Sequence, residues 1–372
     1  MNMPRLLPYL GAVVAAFFFI LFVNTFAHVP AIFVKAPIVP DTNLAAQTST
    51  ELSSEPDATT SPATAAAPAT PQTQKAPALN ASAIQPVQFP SLPPVPTSAE
   101  LDAAASVLRN ALVNILCYAP FGSGLHSISG SGVFISSKGI ILTNAHIGQY
   151  FLFSDLGVSC TIRTGSPATD RYEADLMFIS PAWVNTNPDV LTKASPIGTG
   201  EHDFALLAVT KSATRAALPA SFPFISLAAS PPFPGTPIII ASYGAQFLVS
   251  SQVESSLFPT IVFGSVKDVF TFALNTIDVL ALGGSAAAQE GSSGGGVADA
   301  SGELVGTITT STVEGSTDTR SLDAITASYI RSDYASETGR PLDLLLAGST
   351  TTAIADFAPQ IPVLEAILTA HL

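Results

Sequence analysis

The run Gln289-Glu290-Gly291-Ser292-Ser293-Gly294-Gly295-Gly296-Val297 sets a hydroxyl among glycines. A serine that attacks a carbonyl needs backbone N–H groups close by to hold the oxyanion that forms. Glycine at 291 and 294 permits a turn tight enough to aim two amides at one point, because glycine accepts positive φ freely. Ser293 is therefore the candidate nucleophile, and the amides of Gly291 and Ser293 are the candidate oxyanion hole. A flexible Gly/Ser loop is the competing reading of this stretch taken alone. Near neutral pH the hydroxyl also needs a base, most often a histidine steadied by a carboxylate. Of the five histidines (His28, His126, His146, His202, His371), His146 closes Gly139-Ile-Ile-Leu-Thr-Asn-Ala-His146, an apolar strand ending in a polar tip. Asp203 stands at the mouth of a second apolar run, Phe204 to Val209, where an orienting carboxylate belongs.

The blocks Ser129-Gly-Ser-Gly-Val-Phe-Ile-Ser136, Gly139 to His146, His202-Asp203-Phe-Ala-Leu-Leu and Gly291-Ser-Ser293-Gly-Gly occur in that order. Together they resemble the trypsin-like serine proteases of the chymotrypsin clan, the bacterial HtrA/Deg branch most of all. Three motifs in one order are more specific than any of them singly. The resemblance implies an all-β fold of two six-stranded antiparallel β-barrels, with His146 as base, Asp203 as orienting acid and Ser293 as nucleophile. It also implies polypeptide substrates and neither metal nor organic cofactor. In trypsin-like enzymes the residue six before the nucleophile floors the primary pocket, here Ala287 with Ala288 beside it. Without a charge to pair a basic side chain, such a pocket is expected to take a small or aliphatic residue.

Two departures from the family stand out. The acid that digestive members carry just before the nucleophile is replaced by Ser292. The HtrA branch usually appends a PDZ domain, and the stretch after residue 330 is expected to be too short for one. Two other readings of the nucleophile are open. Gly291-Ser-Ser293-Gly-Gly also fits the G-x-S-x-G elbow of α/β-hydrolases, but their partners follow the serine, leaving only His371 as base. An inactive protease-like module that binds peptides is the other, although all three triad positions are filled.

The elements that must position these groups follow from composition and pattern. Among 372 residues, 47% are hydrophobic and 11% charged, and 14 basic against 27 acidic residues leave a net charge of −13. That balance excludes nucleic-acid binding, which demands a positive face. Residues 1–5 read as a short cytoplasmic start. Arg5 then precedes an apolar stretch, 6–27, long enough to span a membrane as a single-pass anchor, with a cleavable signal peptide as the alternative. Either way the remainder is expected outside the cytoplasm. Residues 28–96, rich in Pro, Ala and Thr, lack the periodicity to offset ordering entropy and read as a disordered linker. Residues 97–347 are assigned to the protease domain and 348–372 to a helical tail.

Within the domain, Thr97 and Glu100 have capping-box spacing ahead of Leu101, Ala104, Ala105 and Leu108, so a short amphipathic helix is expected. Strands follow at Leu112 to Tyr118, then a hairpin of Gly130 to Ser136 and Ile140 to Asn144 around Gly139. Further β-rich runs lie at 159–163, 172–179, 204–209, 237–243, 260–266, 269–273, 277–282 and 303–309. His126 is expected on the surface, and His202 on the strand face opposite Asp203 in a structural role. Helices are expected at 339–347 and 361–370, the second with an apolar stripe suited to packing on the barrel. Cys117 and Cys160, the only cysteines, form a possible disulfide outside the cytoplasm or else two buried thiols.

Overall fold

The computed structural model describes residues 95–193, 198–272, 275–311 and 315–372. The expected anchor at 6–27, and all of the linker except residues 95 and 96, lie outside them. Among the described residues no helix is long and apolar enough to cross a membrane.

Helix α1 (Ser98–Ala111) opens with the expected box: the Glu100 amide donates to Thr97 Oγ1 at 3.3 Å, and the Thr97 amide donates to Glu100 Oε2 at 2.7 Å. Its buried face is Ala104, Ala105, Leu108 and Ala111. Six strands then close a barrel: β1 (Leu112–Tyr118), β2 (Ile128–Ser136), β3 (Ile140–Thr143), β4 (Ser159–Thr164), β5 (Thr169–Ile179) and β6 (Ala205–Ser212). All six pairings, in the order β1-β2-β3-β6-β5-β4 and back to β1, are antiparallel. Strand β3 is buried throughout, which explains its unbroken apolar run. Gly139 takes φ +81° in the hairpin turn between β2 and β3, a conformation β-branched residues resist. Cys117 and Cys160 sit opposite each other across β1 and β4 and are joined in a disulfide.

Two short helices interrupt this barrel, α2 (Ala145–Gly148) after β3 and α3 (Pro181–Thr186) after β5. In α3 Trp183 and Val184 turn into the core, with Ser180 capping the helix.

The second half holds β7 (Ser226–Leu227), β8 (Pro237–Ser242), helix α4 (Ser250–Ser255), β9 (Thr260–Ser265), β10 (Asp268–Phe270), β11 (Val279–Ala281), β12 (Gly296–Asp299), β13 (Glu303–Ser311) and β14 (Leu322–Thr326). Here the expected second six-stranded barrel is corrected. The strands form an eight-stranded sheet in the order β10-β11-β14-β13-β12-β8-β9, with β7 added in parallel on β13, and no ladder closes it. The reason lies at Val266 and Lys267, between the two edge strands. Val266 exchanges bonds with Thr236 and Gly235 on the β8 side, while the Lys267 amide donates to Ala281 at the end of β11. The chain turns a corner there, so β9 and β10, though consecutive, never pair.

Helices α5 (Ala327–Thr338), α6 (Leu342–Ala347), α7 (Thr350–Phe357) and α8 (Ile361–Thr369) complete the chain. Gly339 does not begin a helix as the sequence reading has it; at φ +69° it ends α5 in the left-handed conformation. The helices fold back on the first barrel. Phe178 of β5 meets Tyr334 edge-on at 4.9 Å and Phe357 at a tilt at 5.9 Å between ring centroids, and Leu364 and Leu368 join the same core. Aromatic pairs of this kind are worth about 0.5–1.5 kcal/mol each beyond the area they bury. Buried Arg163 links this barrel to the other half, its Nη1 donating to Asn114 Oδ1 and the Val253 carbonyl, both at 3.0 Å.

Candidate active site

Strand β3 delivers His146. Its last residue, Thr143, is followed by Asn144 in extended conformation as the N-cap of α2, and His146 lies in that helix's first turn. The Asn144 side-chain amide donates to the Asp203 carbonyl at 3.0 Å, locking the end of β3 to the start of β6. Asp203 is buried and receives three donors. His146 Nδ1 lies 2.8 Å from Oδ2, the His146 amide donates to Oδ1 at 3.0 Å, and Thr309 Oγ1 donates to Oδ2 at 2.6 Å. Burial by itself would raise the carboxyl's pKa, but the facing imidazole and these hydrogen bonds hold it below the ordinary carboxylate value. The group therefore stays ionised near neutral pH, and with Nδ1 engaged, Nε2 is the imidazole nitrogen left for chemistry.

The loop carrying Ser293 is fastened to both halves of the peptidase fold. The Ser131 amide in β2 donates to the Ser293 carbonyl at 2.8 Å, and the Ser131 hydroxyl donates to the Gly291 carbonyl at 2.8 Å. Thr143 Oγ1 in turn donates to the Ser131 carbonyl at 2.7 Å. On the other side the Gly294 amide donates to the Ile308 carbonyl at 2.9 Å, one residue before the threonine that bonds Asp203. Ser293 thus hangs between the strand that leads to His146 and the strand that touches Asp203. Gly294 has φ +83°, and a Cβ there would run into the Ser131 carbonyl and the Thr143 hydroxyl. Gly291 has φ +89°, and a Cβ would come within 2.8 Å of the Tyr243 carbonyl.

The two adjacent serines differ sharply. Ser292 is buried and its hydroxyl accepts from Ser242 Oγ at 3.0 Å, a neutral contact. Ser293 is half-buried, and its hydroxyl has no hydrogen-bond partner among the described residues. Nor do the amides of Gly291 and Ser293, although their neighbours at Ser292, Gly294 and Gly295 are all bonded. An unengaged hydroxyl beside two unengaged amides is an arrangement suited to attacking a carbonyl and holding the resulting oxyanion. Ser292→Ala is expected to act on stability, costing about 1 kcal/mol by orphaning the Ser242 hydroxyl, with little direct effect on turnover. Thermal unfolding and kcat measured on the same preparation check this.

Residues 130–306, just under half of the chain, match the trypsin-like peptidase domain family (Trypsin_2). This chain carries a trypsin-like serine peptidase domain. No curated protein matches the chain. Solved structures similar to the peptidase include the Rv3671c protease from M. tuberculosis in its active form, 18% identical, covering 68% of this chain and 94% of that one at a TM-score of 0.40. The inactive form of the same protease is also 18% identical, covering 66% of this chain and 100% of that one, again at a TM-score of 0.40.

The remaining expected site residues are placed as follows. Ala287 and Ala288 are sealed from water in the core of the second sheet. Above them lies Arg320, which the sequence reading missed although it is the only basic residue between Lys267 and Arg331. Its Nη1 donates to the Ala288 carbonyl at 2.8 Å and to Gln246 Oε1 at 2.6 Å, and Nε and Nη2 both donate to the Gly315 carbonyl. Three loops of the peptidase are thereby clasped together. Thr309 and Ser131 were missed as well, since a single hydroxyl in a β-rich run carries no sign of its partner.

His126 is exposed, as expected. His371 is exposed on the last turn of the chain, and Ser293 is followed by strand β12 in an antiparallel sheet, which leaves the α/β-hydrolase elbow without its strand-turn-helix setting. His202 is structural, but not by facing across a strand. It lies in the turn before β6 at φ +59°, with Nδ1 2.7 Å from Asp333 Oδ2 on α5. The Asp333 hydrogen bond raises its pKa above the ordinary 6.5, against the opposing effect of burial, and burial likewise raises Glu337. Stability from a raised histidine is complete below its unfolded pKa and fades as pH rises through the folded one. In metal-free buffer, the difference in Tm between wild type and His202→Asn is therefore expected to be larger near pH 6 than near pH 9. Asparagine is chosen because it tolerates the left-handed backbone.

Proposed function

We propose that this peptidase is an endopeptidase working outside the cytoplasm, tethered through residues 6–27, that cleaves polypeptides after small or aliphatic side chains using His146, Asp203 and Ser293. Ser293 Oγ attacks the peptide carbonyl while His146 Nε2 takes its proton. Asp203 keeps the imidazole in the tautomer with hydrogen on Nδ1 and stabilises the imidazolium that forms. The amides of Gly291 and Ser293 receive the oxyanion. Collapse of the tetrahedral intermediate passes the proton from His146 to the leaving amine, and water then repeats the sequence on the acyl-enzyme. This chemistry requires no metal or organic cofactor.

The observation that carries the reading is the contrast between the two serines: the Ser292 hydroxyl is committed to Ser242, while the Ser293 hydroxyl and the amides of Gly291 and Ser293 have no hydrogen-bond partner among the described residues. Export is supported by the Cys117–Cys160 disulfide, since such bridges persist in oxidising compartments. A tether is supported by the apolar run behind Arg5. For specificity, the reading rests on sequence position: Ala287 and Ala288, six and five residues before Ser293, carry no charge.

Profiling cleavage sites on a complex peptide library tests activity and pocket together. Internal cuts after alanine, valine or leucine are expected, all lost in Ser293→Ala. Trimming only at chain ends, or a preference for lysine and arginine, would overturn the proposal. A preference for acidic residues would transfer specificity to Arg320, whose guanidinium donates to the Ala288 carbonyl. Recovery in the membrane fraction with a start upstream of residue 28 is expected; a mature start at His28 or Ile32 would make the enzyme secreted.

A further inference from the structure

Away from the triad, three carboxylates gather around one imidazole. Asp333 Oδ2 lies 2.7 Å and Glu337 Oε1 3.9 Å from His202 Nδ1, while Glu201 Oε1 lies 3.9 Å from Nε2. Asp333 is buried and Glu337 nearly so, one helical turn apart on α5 and facing the same ring. Among the described residues none of these acids has an ion-pair partner other than His202. Three carboxylates thus share a single cationic partner. A divalent cation among them would offset carboxylate charge that one imidazole cannot.

We propose that His202 Nδ1, Asp333 and Glu337 form a Zn²⁺ site that fastens helix α5 to the turn carrying Asp203. The donor atoms all lie within 4.8 Å of one another, the one such group of three among the described residues. Metal–ligand bonds near 2.1 Å at tetrahedral angles need donors about 3.4 Å apart, so the observed 2.7 and 3.9 Å call for only small adjustments. One nitrogen and two carboxylates suit zinc, with water as fourth ligand.

The surroundings are those of a built site. Glu337 is already oriented by the Ser180 hydroxyl at 2.6 Å and the Ala182 amide at 3.1 Å. The amide of His202 donates to Tyr329 Oη at 3.0 Å, and its Nε2 faces Glu201, the carboxylate a zinc-bound histidine commonly addresses with its second nitrogen. Zinc takes the place of the Nδ1 proton, so binding releases it and weakens as pH falls.

Isothermal titration of the full chain with ZnCl₂ in metal-free buffer tests this, alongside Tm with and without metal. Wild type is expected to bind one equivalent saturably and to gain several degrees in Tm. Asp333→Asn keeps an acceptor oxygen for His202, Glu337→Gln keeps one for either Ser180 or Ala182, and each is expected to weaken binding about tenfold or more. His146→Ala is expected to leave it unchanged, which separates this site from metal on the triad. The idea fails if wild type shows no saturable binding, a result that needs no variant. It fails equally if both α5 variants bind as tightly as wild type, or if His146→Ala abolishes binding. The first two outcomes leave the nucleophile assignment untouched, because the site stands whether or not Ser293 is catalytic.

Discussion

Ser293→Ala is expected to lower kcat by roughly 10⁴-fold or more while leaving the fold intact. The side chain makes no hydrogen bond among the described residues, so its removal orphans nothing. What holds the loop is main chain: the Ser293 carbonyl on the Ser131 amide, and the Gly294 amide on the Ile308 carbonyl. Alanine keeps both. Unfolding midpoints should accordingly coincide within the spread of ordinary surface substitutions, about 0.5 kcal/mol. KM should change little, because substrate contacts from the strands and the oxyanion amides remain. Steady-state kinetics on an unfolded protein substrate, with calorimetry of the same samples, measure both halves. A variant as active as wild type would remove Ser293 from the mechanism.

Asp203→Asn should come next in size, with kcat falling on the order of 10⁴-fold. An amide at this position can present its NH₂ to Nδ1, favouring the tautomer with hydrogen on Nε2, which cannot accept a proton from serine. Unlike the serine change, this one is also expected to destabilise. The His146 ring, the His146 amide and the Thr309 hydroxyl all converge on the carboxylate, and an amide has a single oxygen to accept them. Leaving a buried donor unsatisfied costs roughly 1–3 kcal/mol.

The pH dependence has a definite sign. Because the folded pKa of Asp203 is depressed, its stabilisation is present above the ordinary carboxylate value of 3.8 and is lost as pH falls through the lower folded value. Wild type and Asp203→Asn should therefore differ most near neutrality and converge in strong acid. Urea denaturation across that range checks it.

Much of this was legible in the residues. The hairpin around Gly139, the capping box at Thr97 and Glu100, and the pairing of His146 with Asp203 follow local rules: left-handed φ, side chain to amide spacing, and a polar tip on an apolar strand. That the second sheet stays open was not legible, because it depends on where the amides at 266 and 267 find partners distant in sequence. Helix α5 was missed for another reason. Ala-Ser-Tyr-Ile-Arg-Ser-Asp-Tyr-Ala-Ser-Glu-Thr has no apolar stripe, since the face it buries includes Asp333. That carboxylate is tolerated because His202 meets it, and His202 reaches it only through a left-handed turn that a strand-based reading cannot anticipate. Ser131 and Thr309 escaped notice because their partners lie 160 and 106 residues away.

The most direct test of the hydrolytic assignment is covalent labelling with a fluorophosphonate, followed by mass spectrometry of the modified peptide. The peptidase should take up one equivalent, on Ser293, and His146→Ala should suppress the labelling, because phosphonylation needs the same proton removal as acylation. Absence of label under conditions where the chain is folded, or label on Ser292 or another serine instead, would contradict the account.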